Sequence, residues 1–154
     1  MNTENSLSIK RTDNNDPDFK YLVTLLDEYL LVLNGEAQAH YTPHNKLDYL
    51  NTAVVVYHDN QPIGCGCFKK YDDDTVEIKR MFVKDNNRGK GIASRILNEL
   101  ELWGKEIGLS YTVLETLKTN TGAVNLYKKQ GYYVIDNYGP YITLTNSVCM
   151  QKSL

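Results

Sequence analysis

The chain has 154 residues, of which 42% are hydrophobic and 23% charged, and its 17 basic residues against 19 acidic ones give a formal net charge of −2. This length and composition are typical of one globular domain with its own core, and they exclude a disordered chain. The near-neutral balance argues against a protein that binds nucleic acid or an anionic membrane, because such proteins are usually basic.

The amino terminus and the cysteines favour a reduced, cytoplasmic protein. Residues 1–5 lack the basic and apolar regions of a signal peptide, and no apolar stretch approaches the ~18–20 residues of a membrane span. The chain has three cysteines, an odd and sparse set that makes no disulfide framework. Cys65 and Cys67 have no His or further Cys nearby to complete a metal shell, so we expect no metal.

The first half of the chain predicts one strand, one long helix and a meander of three strands. Residues 6–11 have a strand pattern, and Asp16-Pro17 is typical of a helix start. Apolar residues at helical spacing then predict a helix over 17–33, which Asn34-Gly35 ends. Residues 36–50 give a weaker pattern of a short helix, a loop and a helical turn. Antiparallel strands are predicted over 52–57, 63–71 and 75–83.

The second half predicts two helices and three further strands. One helix carries an apolar stripe and is closed by Gly108; the stripe consists of Ile92, Ile96, Leu100, Trp103 and Ile107. Another helix begins at the cap residue Asn120, runs to Gln130 and is ended by Gly131. Strands are predicted over 111–116, 132–136 and 142–151, with a turn at 138–141. The whole is interpreted as one α+β domain over residues 1–154.

The segment 88–93 between a strand and a helix has the character of an anion site. Its glycines allow a close approach to the backbone, and a helix start offers unpaired N–H groups with partial positive charge. Arg88 and Lys90 lie where the helix dipole disfavours cations by ~0.3–1 kcal/mol each, which is understandable if an anion binds there. The alternative is a solvated basic turn.

Two other phosphate-binding motifs fit this segment poorly. A P-loop needs Ser or Thr after its lysine, whereas Gly91 follows Lys90. A dinucleotide site needs Gly-x-Gly-x-x-Gly directly after a strand of a βαβ unit. Residues 89–94 match only the first part of this motif, Gly89-Lys90-Gly91, and the strands before them form a meander instead of a βαβ unit. A dinucleotide-binding domain therefore stays open as a weaker alternative.

The stretch 77–83 and the loop 88–93 resemble the strand and the pyrophosphate loop of the GNAT superfamily of N-acetyltransferases. The family's loop pattern is Gln/Arg-x-x-Gly-x-Gly/Ala, which Arg88, Gly91 and Ala93 satisfy. The loop alone would be weak evidence, because short glycine-rich patterns are common.

A second block makes the resemblance specific. Residues 120–132 are similar to the family's Asn-x-x-Ala-x-x-Leu-Tyr-x-x-x-Gly-Phe stretch, with Tyr132 where Phe is usual. The predicted order of strands and helices also matches over nearly the whole chain. The resemblance implies a GNAT-like acyl-CoA N-acyltransferase fold, a mixed and mostly antiparallel sheet flanked by helices.

The resemblance also implies acetyl-coenzyme A as co-substrate and a primary amine, of a small molecule or a peptide, as acceptor. Strands 75–83 and 111–116 would splay apart to admit the thioester, and Asn120 would hydrogen-bond the cofactor arm. The main chain at Met81, Phe82 and Val83 would pair with the pantetheine. The pyrophosphate would lie on the backbone N–H groups of Arg88, Gly89, Lys90, Gly91, Ile92, Ala93 and Ser94.

Amine attack on a thioester needs a neutral amine, a well-placed carbonyl and a proton for the leaving thiolate. Tyr127 is the candidate acid beside the cofactor, because a phenol with a pKa of ~10 is a donor near neutral pH. Glu77 is the candidate base, acting directly or through water, since some family members carry a carboxylate on this strand. The alternative for Tyr127 is a core tyrosine. The alternative for Glu77 is a strand glutamate that faces solvent or pairs with Lys79 or Arg80, and a β-bulge would decide where its side chain points.

Other candidates are weaker. His40 and His44 would line the acceptor side and have a suitable pKa for a base, whereas His58 lies in a turn. The acceptor pocket could be walled by four tyrosines, which would otherwise serve packing or a dimer contact: Tyr29, Tyr41, Tyr138 and Tyr141. Homodimerisation is expected from the resemblance only. A non-catalytic acyl-CoA-binding module is the main alternative function, and the sequence leaves the acceptor open.

Overall fold

The computed structural model describes residues 6–34 and 52–154, so the predictions for residues 36–50, His40, Tyr41 and His44 lie outside the described residues. The elements, in chain order, are β1 (Leu7–Thr12), α1 (Pro17–Asn34), β2 (Thr52–His58), β3 (Gln61–Lys70), β4 (Thr75–Val83), α2 (Ile92–Glu106), β5 (Tyr111–Leu117), α3 (Thr121–Lys129), β6 (Tyr133–Ile135) and β7 (Ser147–Ser153). Each predicted helix and strand in the described ranges is present.

The chain divides into two compact units, described separately below. Unit 1 contains the described residues up to Lys69 together with Lys79–Leu100, and unit 2 contains Lys70–Ile78 and Glu101–Leu154. Strand β4 and helix α2 each contribute residues to both units. No helix in the described part of the chain is long and apolar enough to cross a membrane.

Unit 1 is built on strands in the order β1-β2-β3-β4. β1 pairs antiparallel with β2, and β2 pairs antiparallel with β3. Helix α1 buries its apolar face on these strands: the shared core consists of Phe19, Leu22, Leu26, Ala53, Val55, Cys65, Cys67 and Phe82. Burial of this apolar surface, at roughly 25 cal/mol per Å², holds the helix in place.

The amino-terminal end of α1 is capped as the sequence predicts. The Asp16 carboxylate accepts hydrogen bonds from the backbone N–H groups of Asp18, at 2.8 Å, and Phe19, at 3.3 Å. Lys10 Nζ lies 2.6 Å from the same carboxylate. Pro17, which needs no N–H partner, occupies the first helical position.

Helix α2 approaches β3 closely because glycines leave room for it in unit 1. A Cβ atom at Gly66 would lie 2.7 Å from Met81 Sδ and 2.8 Å from Ile96 Cγ2. Ile92, Ile96 and Leu100 are buried as predicted. The prediction for Ile107 was wrong, since α2 ends at Glu106 and the Ile107 side chain is 56% exposed beyond it.

Unit 2 is built on strands in the order β4-β5-β7-β6. β4 pairs with β5 in parallel over three residues, Thr75–Glu77 with Tyr111–Val113, whereas β5 and β7 pair antiparallel over seven. β6 pairs antiparallel with β7. The predicted mixed and mostly antiparallel sheet with flanking helices is therefore confirmed.

The last strand begins later than predicted. β7 starts at Ser147 instead of residue 142, because the preceding chain forms a 3₁₀ turn, Gly139–Tyr141, and further turns. One side chain holds these turns: Asn137 Nδ2 lies 3.1–3.2 Å from the carbonyl oxygens of Tyr141, Leu144 and Ser147. The alternation of apolar residues, from which the strand was predicted, carries no information about these side-chain hydrogen bonds.

Candidate active site

The glycine-rich loop of unit 1 has the open backbone that its sequence predicts. A 3₁₀ turn over Asp85–Asn87 leads into it, and Gly89 and Gly91 both have φ of +77°. A Cβ atom at either glycine would meet nothing within 4 Å. The glycines are therefore needed for the left-handed backbone, and the space beside them is open.

The start of α2 leaves backbone donors outside the helix ladder. The Arg95 N–H reaches the Gly91 carbonyl at 3.2 Å, the first bond of the helix. The N–H groups before Arg95 precede this ladder, as at every helix start. With the partial positive charge of the helix terminus, this is an arrangement that can receive a phosphate. Ile92 is buried and anchors the loop, whereas Lys90 is exposed.

Arg88 folds back onto its own loop. Its Nε donates to the Val83 carbonyl at 2.9 Å, and its Nη1 lies 2.8 Å from Asp85 Oδ1. The guanidinium also stacks 4.7 Å from the ring centre of Tyr29 on α1. The Arg88 backbone N–H donates to the Asp85 carbonyl at 3.3 Å. Arg88 therefore shapes the loop, and the donors left for an anion are the backbone N–H groups that follow it.

β4 has an irregular backbone in the region where the sequence analysis considered a β-bulge. Arg80 has φ of +59°, a left-handed conformation that costs a non-glycine residue about 1–2 kcal/mol. Cys65 Sγ donates to the Arg80 carbonyl at 3.4 Å, and Cys67 Sγ to the Lys79 carbonyl at 3.2 Å. The two cysteines thus lie on one buried face of β3, as predicted, and contact the irregular part of β4.

The Arg80 side chain is held by α1. Its Nη1 lies 2.6 Å from Asp27 Oδ1; the Arg80 side chain is only 8% exposed and that of Asp27 is 50% exposed. The sequence had offered Arg80 as a partner for Glu77, and the structure assigns it to Asp27 instead. Met81 is half-buried, and Phe82 and Val83 are buried in the strand that continues from Arg80 to the loop.

In unit 2, Glu77 is buried among tyrosines. Glu77 is only 4% exposed, and its Oε2 accepts a hydrogen bond from the Tyr138 hydroxyl at 2.8 Å. The Tyr141 hydroxyl interacts with the same carboxylate. Sequence reasoning placed these two tyrosines as pocket walls and missed their interaction with Glu77. Nothing local connects them, since even Tyr138 is 61 positions away.

Tyr127 on α3 is buried, and its ring packs edge-on against Tyr132 at 5.8 Å. Burial, and to a lesser degree the charge of Glu115, raise the pKa of Tyr127. Its hydroxyl therefore keeps its proton at neutral pH. Within the described residues we find no hydrogen bond of this hydroxyl, which leaves it able to donate to a ligand.

Asn120 is the cap of α3. Its Oδ1 accepts from the Ala123 N–H at 3.2 Å, as predicted for a cap. Its orientation is fixed by this bond, and its Nδ2 is the atom that could donate to a cofactor.

Two further groups of candidates have structural explanations. His58 lies in unit 1 beside the β2–β3 turn, with Nε2 3.5 Å from Asp59 Oδ2. Burial raises the pKa of the Cys65 thiol well above its usual value, which makes it unreactive. Among residues 6–34 and 52–154 no three His, Cys, Asp or Glu side chains are grouped to hold a metal ion.

Comparison with known proteins places these features in a family. Residues 19–132 match the Acetyltransferase (GNAT) family. An IAA acetyltransferase of Azospirillum brasilense is 36% identical over 102 residues, which is 66% of this chain and 67% of that protein. An uncharacterized N-acetyltransferase of Dictyostelium discoideum is 42% identical over 62 residues, 40% of this chain and 29% of that protein.

Solved structures share the fold. A Klebsiella pneumoniae protein assigned as an acyl-CoA N-acyltransferase has a TM-score of 0.80 at 24% identity and covers 96% of this chain and 97% of its own. A GNAT family acetyltransferase of Elizabethkingia anophelis with acetyl-CoA bound has a TM-score of 0.69 at 20% identity, over 98% of this chain and 100% of its own. At these identities the likeness shows the fold alone.

Proposed function

Since the chain belongs to the Acetyltransferase (GNAT) family, we propose that it transfers an acetyl group from acetyl-CoA to a primary amine by direct attack. The open glycine loop at the start of α2 is the observation that carries the proposal. Two glycines at φ of +77° with free space beside them, before the first bond of the helix, suit a pyrophosphate. A neighbour of the same fold carries acetyl-CoA, which supports the same donor here.

The cofactor would be held mainly by main-chain groups. The N–H groups of residues 89–94 would bind the pyrophosphate, since that of Arg88 donates to Asp85. The main chain at 81–83 would pair with the pantetheine as an added strand does. Asn120 Nδ2 would donate to the pantetheine amides.

The reaction replaces the C–S bond of the thioester by a C–N bond and moves one proton from nitrogen to sulfur. The nitrogen lone pair of the neutral amine attacks the thioester carbonyl carbon, the tetrahedral intermediate collapses, and the C–S bond breaks. Glu77 would take the proton of the amine, directly or through water, and Tyr127 would supply a proton or hydrogen bond to the departing sulfur. Burial keeps the proton on Tyr127, which suits a donor. Glu77 accepts a hydrogen bond from the Tyr138 hydroxyl, which suits an acceptor.

A panel of primary amines tests the proposal. We expect release of coenzyme A thiol, above the hydrolysis background, with at least one class of small amine, amino acid, peptide amino terminus or lysine peptide. The acetylated product should appear in equal amount by mass spectrometry. If the protein binds acetyl-CoA but turns over none of the amines, the result would contradict the proposal and favour a non-catalytic acyl-CoA-binding module.

A further inference from the structure

The hydroxyl of Tyr138 is committed to the buried carboxylate of Glu77. The two oxygen atoms are 2.8 Å apart, a normal distance for a hydroxyl hydrogen bond. Glu77 lies on β4 and Tyr138 lies just before the 3₁₀ turn Gly139–Tyr141, so the bond joins a strand to a loop within unit 2.

Tyr138 has little freedom to leave this position. Its ring packs edge-on against Tyr71 at 5.0 Å and against Tyr141 at 5.5 Å. The chain on either side is fixed by Asn137, whose Nδ2 holds three backbone carbonyls. An aromatic contact on each side and a clamped backbone make the hydroxyl a fixed donor.

The direction of the hydrogen bond is also determined. Burial, and then the neighbouring Glu77, raise the pKa of Tyr138, so the tyrosine is the donor and the carboxylate the acceptor. The other titratable groups of this cluster are Tyr141, Cys149 on β7 and Glu115 on β5. Burial also raises the pKa of Tyr141, and it raises that of the Cys149 thiol to about 11, so both stay neutral. Ser147 donates to Glu115 at 2.6 Å.

We propose that Tyr138 is a positioning residue that holds the Glu77 carboxylate in one orientation, so that Glu77 can act as the base of acetyl transfer. The inference rests on the proposed function for the role of Glu77, and on the geometry for the role of Tyr138. A donor that is itself fixed by packing also fixes the carboxylate that accepts from it.

Tyr138→Phe tests the hydrogen bond without any acceptor. We expect the ¹³C signal of the Glu77 carboxyl at neutral pH, assigned by its disappearance in Glu77→Gln, to move in Tyr138→Phe, because the carboxylate loses a donor. Tyr71→Phe is the matched control and should leave the signal in place, because it removes the hydroxyl of the ring that packs on Tyr138 without touching Glu77. An unchanged signal in Tyr138→Phe would overturn the inference.

Turnover at saturating acetyl-CoA, with the best amine of the panel, tests the effect on catalysis. We expect Tyr138→Phe to lower kcat about tenfold, with the KM for acetyl-CoA unchanged. In a Glu77→Gln background the same substitution should cause no further loss, because a positioning residue acts only through the group it positions.

The outcomes separate the two proposals. An equal loss from Tyr138→Phe in both backgrounds would mean that Tyr138 acts independently of Glu77, which overturns the inference. Loss in Glu77→Gln with full activity in Tyr138→Phe would also overturn it, while the base role of Glu77 would stand. Full activity in Glu77→Gln would show that Glu77 is not the base, and it would overturn the inference as well. The proposal of acetyl transfer depends instead on whether the acetylated amine is formed.

Discussion

Tyrosine hydroxyls in this chain bind carboxylates. Tyr57 donates to Asp18 at 2.6 Å in unit 1, and in unit 2 Tyr132 donates to Glu101 at 2.9 Å and Tyr138 to Glu77 at 2.8 Å. A buried phenol needs such a partner because an unpaired hydroxyl costs about 1–3 kcal/mol. Tyr127 differs, because in the described part of the chain its ring packs against Tyr132, and burial and the charge of Glu115 raise its pKa, but its hydroxyl has no hydrogen bond. That difference favours a hydroxyl kept for a ligand over a core tyrosine.

Tyr127→Phe should therefore reduce turnover without weakening the fold. A thiol has a pKa of about 8.5, and burial raises the pKa of Tyr127 above its ordinary value of 10.0, so full proton transfer is uphill and stabilisation of the thiolate is the main gain. We expect kcat to fall about 10²-fold, the lower end for acid–base groups, with little change in acetyl-CoA affinity.

Tyr132→Phe is the control, because it should lower stability and leave turnover unchanged. Its hydroxyl lies 2.7 Å from Thr112 Oγ1 and 2.9 Å from Glu101 Oε2, and Lys152 lies 2.8 Å from the same carboxylate. Urea unfolding should show a loss of about 1–3 kcal/mol with kcat near that of the parent. If Tyr127→Phe instead lost stability and kept its kcat, Tyr127 would be a core residue.

The ion pair between Arg80 and Asp27 should stabilise unit 1. Asp27→Asn leaves the buried guanidinium without its counter-charge, but Asp27 is half exposed and water screens the loss. We expect unfolding in urea to show a loss of about 1–2 kcal/mol. Glu28→Gln, which removes an exposed charge on the same helix, should change stability by less than about 0.5 kcal/mol. Equal effects of the two substitutions would mean that the pair contributes nothing.

At the scale of elements, local chemistry predicted most of the boundaries. Asp16 and Pro17 start α1, Asn120 caps α3, and Gly108 and Gly131 follow the helix ends with φ of +93° and +97°. These signals act within one turn of chain, so a sequence shows them. The start of β7 was wrong by five residues because the turns before it depend on the Asn137 amide, whose partners lie 4–10 residues away.

The cap of α1 gives a pH dependence of stability. Burial alone would raise the pKa of Asp16, but hydrogen bonds from Lys10, Thr12 and two backbone N–H groups together hold it below its ordinary value of 3.8. A lowered pKa means that the folded state favours the carboxylate, so this stability is present above pH 3.8 and is lost as the pH falls through the folded value.

Asp16→Asn should reveal that contribution, because Asn caps helices as well as Asp but its NH2 group cannot accept the hydrogen bonds that Lys10 and Thr12 give to the second carboxylate oxygen. At pH 7 we expect a loss of about 0.5–1 kcal/mol by urea unfolding, shrinking as the pH falls below 3.8. Asp13→Asn is the control on an exposed residue before the helix and should show no such convergence. A difference between Asp16→Asn and the parent that is constant with pH would contradict the argument.

The loop before α2 is tested by a pair of glycines with the same backbone. Gly91 and Gly108 have φ of +77° and +93°, and a Cβ at either would meet nothing within 4 Å. Valine should therefore cost about 1–2 kcal/mol of stability at both positions. Only Gly91→Val should also raise the Kd for acetyl-CoA, by tenfold or more in calorimetry, because it shifts the N–H groups that would face the pyrophosphate. Equal affinity in the two variants would place the anion elsewhere.

At the scale of the whole molecule, the order of elements and two motifs were enough to identify the family, since both blocks lie within the matched residues 19–132. The support around Glu77 was not predictable. Its hydrogen bond to Tyr138 spans 61 residues, and Arg80 pairs with Asp27 across 53. Such contacts depend on strand order and on the irregular backbone of β4, which no local pattern of residues encodes.

Ligand-induced stabilisation tests the donor for the molecule as a whole. A ligand that binds only the folded state stabilises it by RT ln(1 + [L]/Kd), about 2.7 kcal/mol at one hundred times Kd. For a chain of 154 residues this should raise the Tm by about 5–10 °C in calorimetry. We expect that rise with acetyl-CoA. NAD is the control, because it carries an adenine nucleotide and a pyrophosphate but no pantetheine arm, so it should shift the melt far less. A Tm that rises with NAD and not with acetyl-CoA would instead favour a dinucleotide-binding protein, and the loop before α2 would then hold the pyrophosphate of a redox cofactor.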